Sequence, residues 1–312
     1  MRVLLLGGTG EVGHHIANGL SERGHEVTVL TRGRNSRGFT IDMRIPGVQA
    51  DKNDAAALEQ AVAGLHPEVV IDTVPGETSV RNVHNLFSGR IAHYIHCSST
   101  GVYAPLRYIP GDEQHADEPA PGDFYVPVAA RDRLAFDLGR RGGYGVTVLR
   151  PTMIIGRGVL PVDNLGGRSP QFLRDLAANR PLELPEDGDV LVQGGFNADL
   201  AQAFILAAER PGQAAGEVFN ISCSKAVTLR HYLELCKEAL GSTSELVPTS
   251  TADILARHAG DGRVDEYWFR FLLQHMCFDI SKARARLGYN PPHELRDSVR
   301  LVVEWARDTG KF

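Results

Sequence analysis

A strand, a glycine turn, a helix and a second strand open this chain, and that order constrains its fold more than any later feature. Val3, Leu4, Leu5 and Leu6 run without alternation, as in a parallel strand buried on both faces. Gly7-Gly8-Thr9-Gly10-Glu11-Val12-Gly13 follows, placing glycines at 7, 10 and 13. Val12, Ile16 and Leu20 then recur at helical spacing as far as Arg23-Gly24. Residues 25–31 read as the next strand. A helix that starts on a glycine turn presents unpaired backbone N–H groups and a partial positive charge. Glycines let that backbone reach a pyrophosphate and let the helix sit close on the strand.

The pattern predicts an α/β fold: a Rossmann-type doubly wound parallel sheet with a smaller C-terminal substrate-binding region. Gly7, Gly8, Thr9, Gly10, Glu11, Val12 and Gly13 are the expected dinucleotide contacts. The end of the second strand bears on which dinucleotide. An acidic residue there bonds a ribose 2′-OH, whereas arginine accommodates a 2′-phosphate. Thr31-Arg32-Gly33-Arg34 has two guanidinium groups and no carboxylate. NADP is therefore expected, with NAD as the alternative. Asp51, after a strand expected at 48–50, is placed to bond the adenine amino group.

At 312 residues the chain has room for two domains or one large one, taking roughly 150 residues per domain. Residues 1–157 are expected to form the dinucleotide half, rejoined by 190–225. Residues 158–189 and 226–312 would form the substrate region. Apolar residues make up 43% and charged residues 23%, which excludes a disordered or collagen-like chain. The net charge of −5 gives no sign of a nucleic-acid partner. Cys97, Cys223, Cys236 and Cys277 lie far apart, which implies reduced thiols and a cytoplasmic protein rather than a disulfide framework or a zinc ribbon. No apolar run approaches the roughly twenty residues that cross a bilayer, and the apolar start is too short for a signal-peptide core.

These motifs resemble the short-chain dehydrogenase/reductase superfamily, and within it the extended branch of NAD-dependent epimerases and dehydratases. The resemblance covers nearly the whole chain. It includes Ser98-Ser99-Thr100-Gly101-Val102-Tyr103, Leu149-Arg150-Pro151 with Gly156, Asp199-Leu200-Ala201, Phe219-Asn220-Ile221 and, near the end, Asp279-Ile280-Ser281-Lys282-Ala283 with Leu287-Gly288-Tyr289. Thr31-Arg32-Gly33-Arg34, Ile71-Asp72-Thr73 and Leu191-Val192-Gln193 resemble an atypical subgroup that includes proteins similar to the chloroplast stem-loop-binding protein. Thr73 joins the expected cofactor contacts on this likeness. The resemblance implies a homodimer and hydride transfer at a carbinol carbon of a sugar-like or polyol/ketone substrate.

It also implies a catalytic set. A tyrosine moves the proton, a serine or threonine bonds the same oxygen, and a lysine one helical turn after the tyrosine lowers its pKa. Here the tyrosine is Tyr125 and the hydroxyl is Ser99, with Thr100 close by. The lysine position is Ala129. A free phenol is a poor base at neutral pH, and a fixed cation corrects that. Three readings stay open. Arg131 or Arg133 substitutes for the lysine; another acid or base acts, from His96, His115, Asp117, Glu118 and Tyr103; or the protein binds cofactor without redox turnover. Nucleotide-sugar enzymes of the branch carry an asparagine where this chain has Met153, and an arginine before Asp199 where it has Val192-Gln193-Gly194-Gly195-Phe196. A diphosphate needs cations or helix-end donors; Arg157, Arg168 and Arg174 are the nearest candidates.

In the C-terminal half, residues 163–168 read as a loop over the cleft, 170–179, 199–209 and 228–240 as helices, and 217–222 as a strand that rejoins the sheet. Tyr267-Trp268-Phe269-Arg270-Phe271 has no clear period. It fits core, a substrate pocket or a subunit contact.

Overall fold

The structure is a computed structural model that describes residues 1–33 and 39–312. Arg34, one of the two expected phosphate contacts, lies outside the described residues. Strands β1 (Arg2–Leu6), β2 (Glu26–Thr31), β3 (Gly47–Gln49), β4 (Val69–Asp72), β5 (His93–Cys97) and β6 (Gly145–Pro151) run in parallel. Strand β7 (Met153–Ile155) pairs with β10 (Gly194–Phe196), β8 (Leu182–Pro185) with β13 (Leu246–Thr249), and β9 (Leu191–Val192) with β12 (Val227–Thr228). β11 (Val218–Ile221) returns to the main sheet beside β6, giving the order β11-β6-β5-β4-β1-β2-β3.

The unbroken apolar run in β1 has a direct cause. Val3 and Leu5 enter one core, with Ile16 and Leu20 of α1 (Gly13–Glu22) and Leu200 and Phe204 of α6 (Asn197–Glu209). Leu4 and Leu6 enter the opposite core, with Leu58 of α2 (Ala55–Ala61), Val83 of α3 (Glu77–Phe87) and Leu138 of α4 (Val126–Gly142). Both faces are covered, so alternation is absent. The strand order reverses between β1 and β4, and ligands of open α/β sheets sit in the crevice at such a point, beyond the strands' C-terminal ends.

The second lobe is built on α5 (Pro170–Ala177) and α8 (Leu229–Leu240), with α9 (Thr251–Arg257) and α10 (Glu266–Leu272) after them in the chain, whereas α7 (Pro211–Ala214), between them in the chain, packs against α6 and β6 of the main sheet. Phe172, Leu173, Tyr232, Leu233 and Val302 share its core. Residues 226–312 do not all belong there. Ala283 and Leu287 of α11 (Ser281–Leu287) pack on the α1–α6 face of the sheet, while α12 (Leu295–Asp308) covers α8. Pro127 lies in the first turn of α4, where a missing N–H is tolerated. Among the described residues no helix is long and apolar enough to cross a membrane.

Candidate active site

The glycine turn closes on itself so tightly that side chains are excluded. Gly7 has φ +89°, and a Cβ there would lie 2.5 Å from Thr73 Oγ1. A Cβ on Gly13 would lie 2.3 Å from the Gly7 carbonyl oxygen. Thr73 donates its hydroxyl to the Leu6 and Gly7 carbonyls at 3.1 and 3.2 Å, so it braces the turn. From Gly7, Thr9 and Gly10 a groove of about 440 Å³ runs to Thr31, Arg32 and Asp51. Asp51 accepts from Asn53 N at 2.9 Å, and this bond leads the effects that lower its pKa. This bare-backbone cradle at a helix start fits a dinucleotide pyrophosphate.

Lys52, which the sequence reading passed over, also lines this groove. Its ammonium pairs with the Asp72 carboxylate and donates to the Val74 carbonyl at 2.6 Å. Asp72 is fully buried at the end of an apolar strand. A charge there requires a partner, and that requirement was the available signal.

Beyond the glycine turn lies a second cavity of about 490 Å³. Its polar side is formed by Glu11, Ser99, Thr100, Tyr125 and Thr152. Ser99 ends the segment after β5 and accepts from Gly101 N at 3.1 Å, which starts a 3-10 turn at Thr100–Tyr103. Thr100 is buried and donates to the Pro151 carbonyl at 3.3 Å. Tyr125 stands at the head of α4 with its ring 5.3 Å from that of Phe271. Burial pushes its phenol up, the hydrogen bond from Ser99 pulls it down, and the charge of Asp123 pushes it up again; the net shift is upward.

Gly101 is the residue that brings this pair together. A Cβ there would lie 2.1 Å from Tyr125 Cζ. Gly101→Ala is expected to displace the phenol ring at a stability cost of about 1–3 kcal/mol, as for other overpacked sites. Turnover should fall much further than that cost explains, which steady-state kinetics beside denaturant melts will show.

Neither Arg131 nor Arg133 takes the missing lysine's place. Ala129 is buried among Val102, Tyr103, Tyr125 and Phe278. Arg131 donates to the Pro75 carbonyl at 2.7 Å and to His96 at 3.3 Å. Arg133 turns to the carbonyl and carboxylate of Asp117. The alternative acids and bases are committed too. His96 pairs with Asp132 at 3.1 Å, both of them buried. His115 accepts from Arg107 N at 2.8 Å. Asp117 bonds Arg150 at 2.7 Å, Glu118 pairs with Arg107 at the surface, and Tyr103 lies under the Arg150 guanidinium. None of these five is among the described residues lining the cavity.

The family model for the NAD dependent epimerase/dehydratase family matches residues 3–85 and 79–222. The chain belongs to that family. The chloroplast stem-loop binding protein of 41 kDa b from Arabidopsis thaliana is 27% identical, over 96% of this chain and 77% of that protein. The 2-alkyl-3-oxoalkanoate reductase of Stenotrophomonas maltophilia is 25% identical over 97% of this chain and 98% of that one. Among solved structures, the UDP-glucuronic acid 4-epimerase of Bacillus cereus, in complex with NAD, superposes with a TM-score of 0.76 at 16% identity, covering 99% of both chains.

In this member of the epimerase/dehydratase family, Asn197 ties the glycine turn to the segment after β7. Its side-chain amide donates to the carbonyls of Glu11 and Arg157, at 3.2 and 3.0 Å. A Cβ on Gly156 would strike that amide at 2.0 Å, which explains why glycine follows the β7 segment.

Proposed function

We propose that the protein is an NAD(P)-dependent oxidoreductase working at a carbinol or carbonyl carbon held between Ser99 and Tyr125. The observation that carries this reading is the pairing of those two hydroxyl groups in a cavity adjoining the glycine cradle. When bound, the dinucleotide supplies or accepts the hydride. Ser99 orients the substrate oxygen by a hydrogen bond. Tyr125 gives that oxygen a proton in reduction and takes one from it in oxidation, exchanging with solvent through the open cleft.

The cofactor we propose is NADP. No carboxylate ends β2, and Arg32 lines the groove there. Lys52 is held by Asp72, so among the described residues lining this groove Arg32 is the cation open to a 2′-phosphate. Arg32→Ala should weaken NADPH binding about tenfold or more and leave NADH nearly unchanged, since a charge-assisted phosphate contact is worth roughly 1.5–3 kcal/mol. Titration of both nucleotides against both proteins checks this, and equal losses would assign NAD instead.

A second reading has its own support: a cofactor-binding protein without redox turnover. It draws on Ala129 and on the commitment of Arg131 and Arg133 elsewhere. Mass spectrometry of nucleotides released on denaturation, followed by turnover assays with NADPH and NADH, separates the two. Nucleotide retained or bound with no turnover on any carbonyl compound would favour the second. Failure to bind either nucleotide would sink both.

A further inference from the structure

We propose that the substrate is an uncharged ketone or secondary alcohol with an apolar body, and not a nucleotide diphosphate sugar. The proposal rests on the hydride-transfer reading above and specifies what the Ser99–Tyr125 pair acts on. In reduction the carbonyl carbon gains hydride from the reduced dinucleotide, the oxygen gains the Tyr125 proton, and C=O becomes CH–OH.

Facing the two hydroxyls, the cavity wall is apolar. Val192 of β9, Trp268, Phe271 and Leu272 of α10, Met276 and Met153 form it. The aromatic run of α10 splits its duties: Phe269 is fully buried in a neighbouring core, while Trp268 and Phe271 face the cavity. Gln193, the polar side chain on this side, is spent on the backbone. It donates to the Cys223 carbonyl at 2.9 Å and accepts from Phe278 N at 2.7 Å.

The means of holding a diphosphate are filled from within. Among the described lining residues Arg168 carries the only positive charge, and its guanidinium donates to the carbonyls of Leu160 and Ile154. The loop that precedes α5 points several backbone N–H groups at one place, a natural anion nest. Asp163 already fills it. Its buried carboxylate accepts from Leu165 N and Gly167 N at 2.9 Å and from Ser169 N at 3.1 Å. α5 then begins at Pro170, which has no N–H, and Ser169 Oγ occupies the next donor, Gln171 N. A phosphate entering here would meet a carboxylate where it needs donors. Apolar surface is what this wall has left to offer a ligand.

The test uses the full chain in two formats. Calorimetry in the presence of NADP⁺, where ketones cannot turn over, measures binding of methyl ketones of increasing chain length, of acetophenone and of UDP-glucose. Affinity should rise about fourfold for each methylene buried, and UDP-glucose should bind more weakly than every longer ketone. Trp268→Ala should cost acetophenone roughly tenfold while leaving the NADP⁺ affinity unchanged. Assays with NADPH then follow reduction of the same ketones. Affinities that stay flat with chain length, absence of ketone binding, or tighter binding of UDP-glucose would each overturn the proposed class. Graded ketone binding without reduction would keep the class and sink the hydride-transfer reading. Turnover of UDP-glucose would do the reverse.

Discussion

Tyr125→Phe is expected to lower kcat for carbonyl reduction by about 10²–10⁴-fold, the usual contribution of a positioned general acid. The phenylalanine ring keeps the contacts with Gly101 and Phe271, so cofactor affinity and thermal stability should stay near those of the parent. The direction of the pH dependence follows from the site. Among the described residues lining the cavity the one cation is Arg168, which is engaged with carbonyls. Burial raises the phenol's pKa, the Ser99 hydrogen bond opposes that, and Asp123 adds to it, leaving a net rise. Tyr125 is therefore a protonated acid throughout the neutral range. Reduction, which consumes its proton, should be flat in kcat/KM from mildly acidic to mildly alkaline pH. Oxidation of the matching alcohol needs the phenolate and should rise about tenfold per pH unit across the same range. A reductive profile that falls with an apparent pKa near neutrality would mean that another group supplies the proton. So would a Tyr125→Phe variant that keeps its rate.

This asymmetry was only half legible in the sequence. The cofactor half was readable because its physics is local. Strand, glycine turn and helix are adjacent in the chain, and the consequences of Gly7 and Gly13 follow from backbone geometry alone. Ala129 at the lysine position was equally plain. Where the neighbouring cations go was not. Arg131 and Arg133 lie two residues apart on one helix, yet one reaches the Pro75 carbonyl and the other Asp117. Those partners are separated from them in sequence by 56 and 16 residues. The cavity wall was harder still. Val192, Met153 and Trp268 meet only because β9, β7 and α10 converge from three stretches of chain. The aromatic run 267–271 has no period because its members serve a core and a cavity at once. Asp163 looked like one more loop carboxylate, and only the turn at Gly166 and Gly167 reveals it as the occupant of an anion nest.

Asp132→Ala is expected to lower the unfolding free energy by about 3–5 kcal/mol, the cost of stripping a buried charge of its partner. The Asp132 and Arg150 side chains are 2% and 3% exposed. Arg150 donates to the Asp132 carboxylate through Nε at 3.2 Å and Nη2 at 2.9 Å. Ser98 Oγ donates to it at 2.6 Å, and His96 Nε2 lies 3.1 Å away. Of the carboxylates that bond Arg150 among the described residues, only the half-buried Asp117 would remain, with the Tyr103 ring beneath the guanidinium. Burial pushes the Asp132 carboxyl up, but His96, Arg150 and Ser98 outweigh it and hold the group below its ordinary value. The unfolded state then binds the extra proton. The carboxylate's contribution is complete above the unfolded pKa of about 3.9 and is lost as pH falls through the lower folded value. Urea melts in acid should therefore converge for parent and variant, and separate as pH rises past that window. The loss reaches the site as well, since Ser98 adjoins Ser99 and Arg150 precedes Pro151, whose carbonyl receives the Thr100 hydroxyl. A companion variant tells charge from packing. Asp132→Leu combined with Arg150→Met removes both ions and fills much of their volume, so it should recover most of the stability that Asp132→Ala loses. If the double variant is as unstable as the single one, the network's value lies in its hydrogen bonds to Ser98 and His96 rather than in the ion pair.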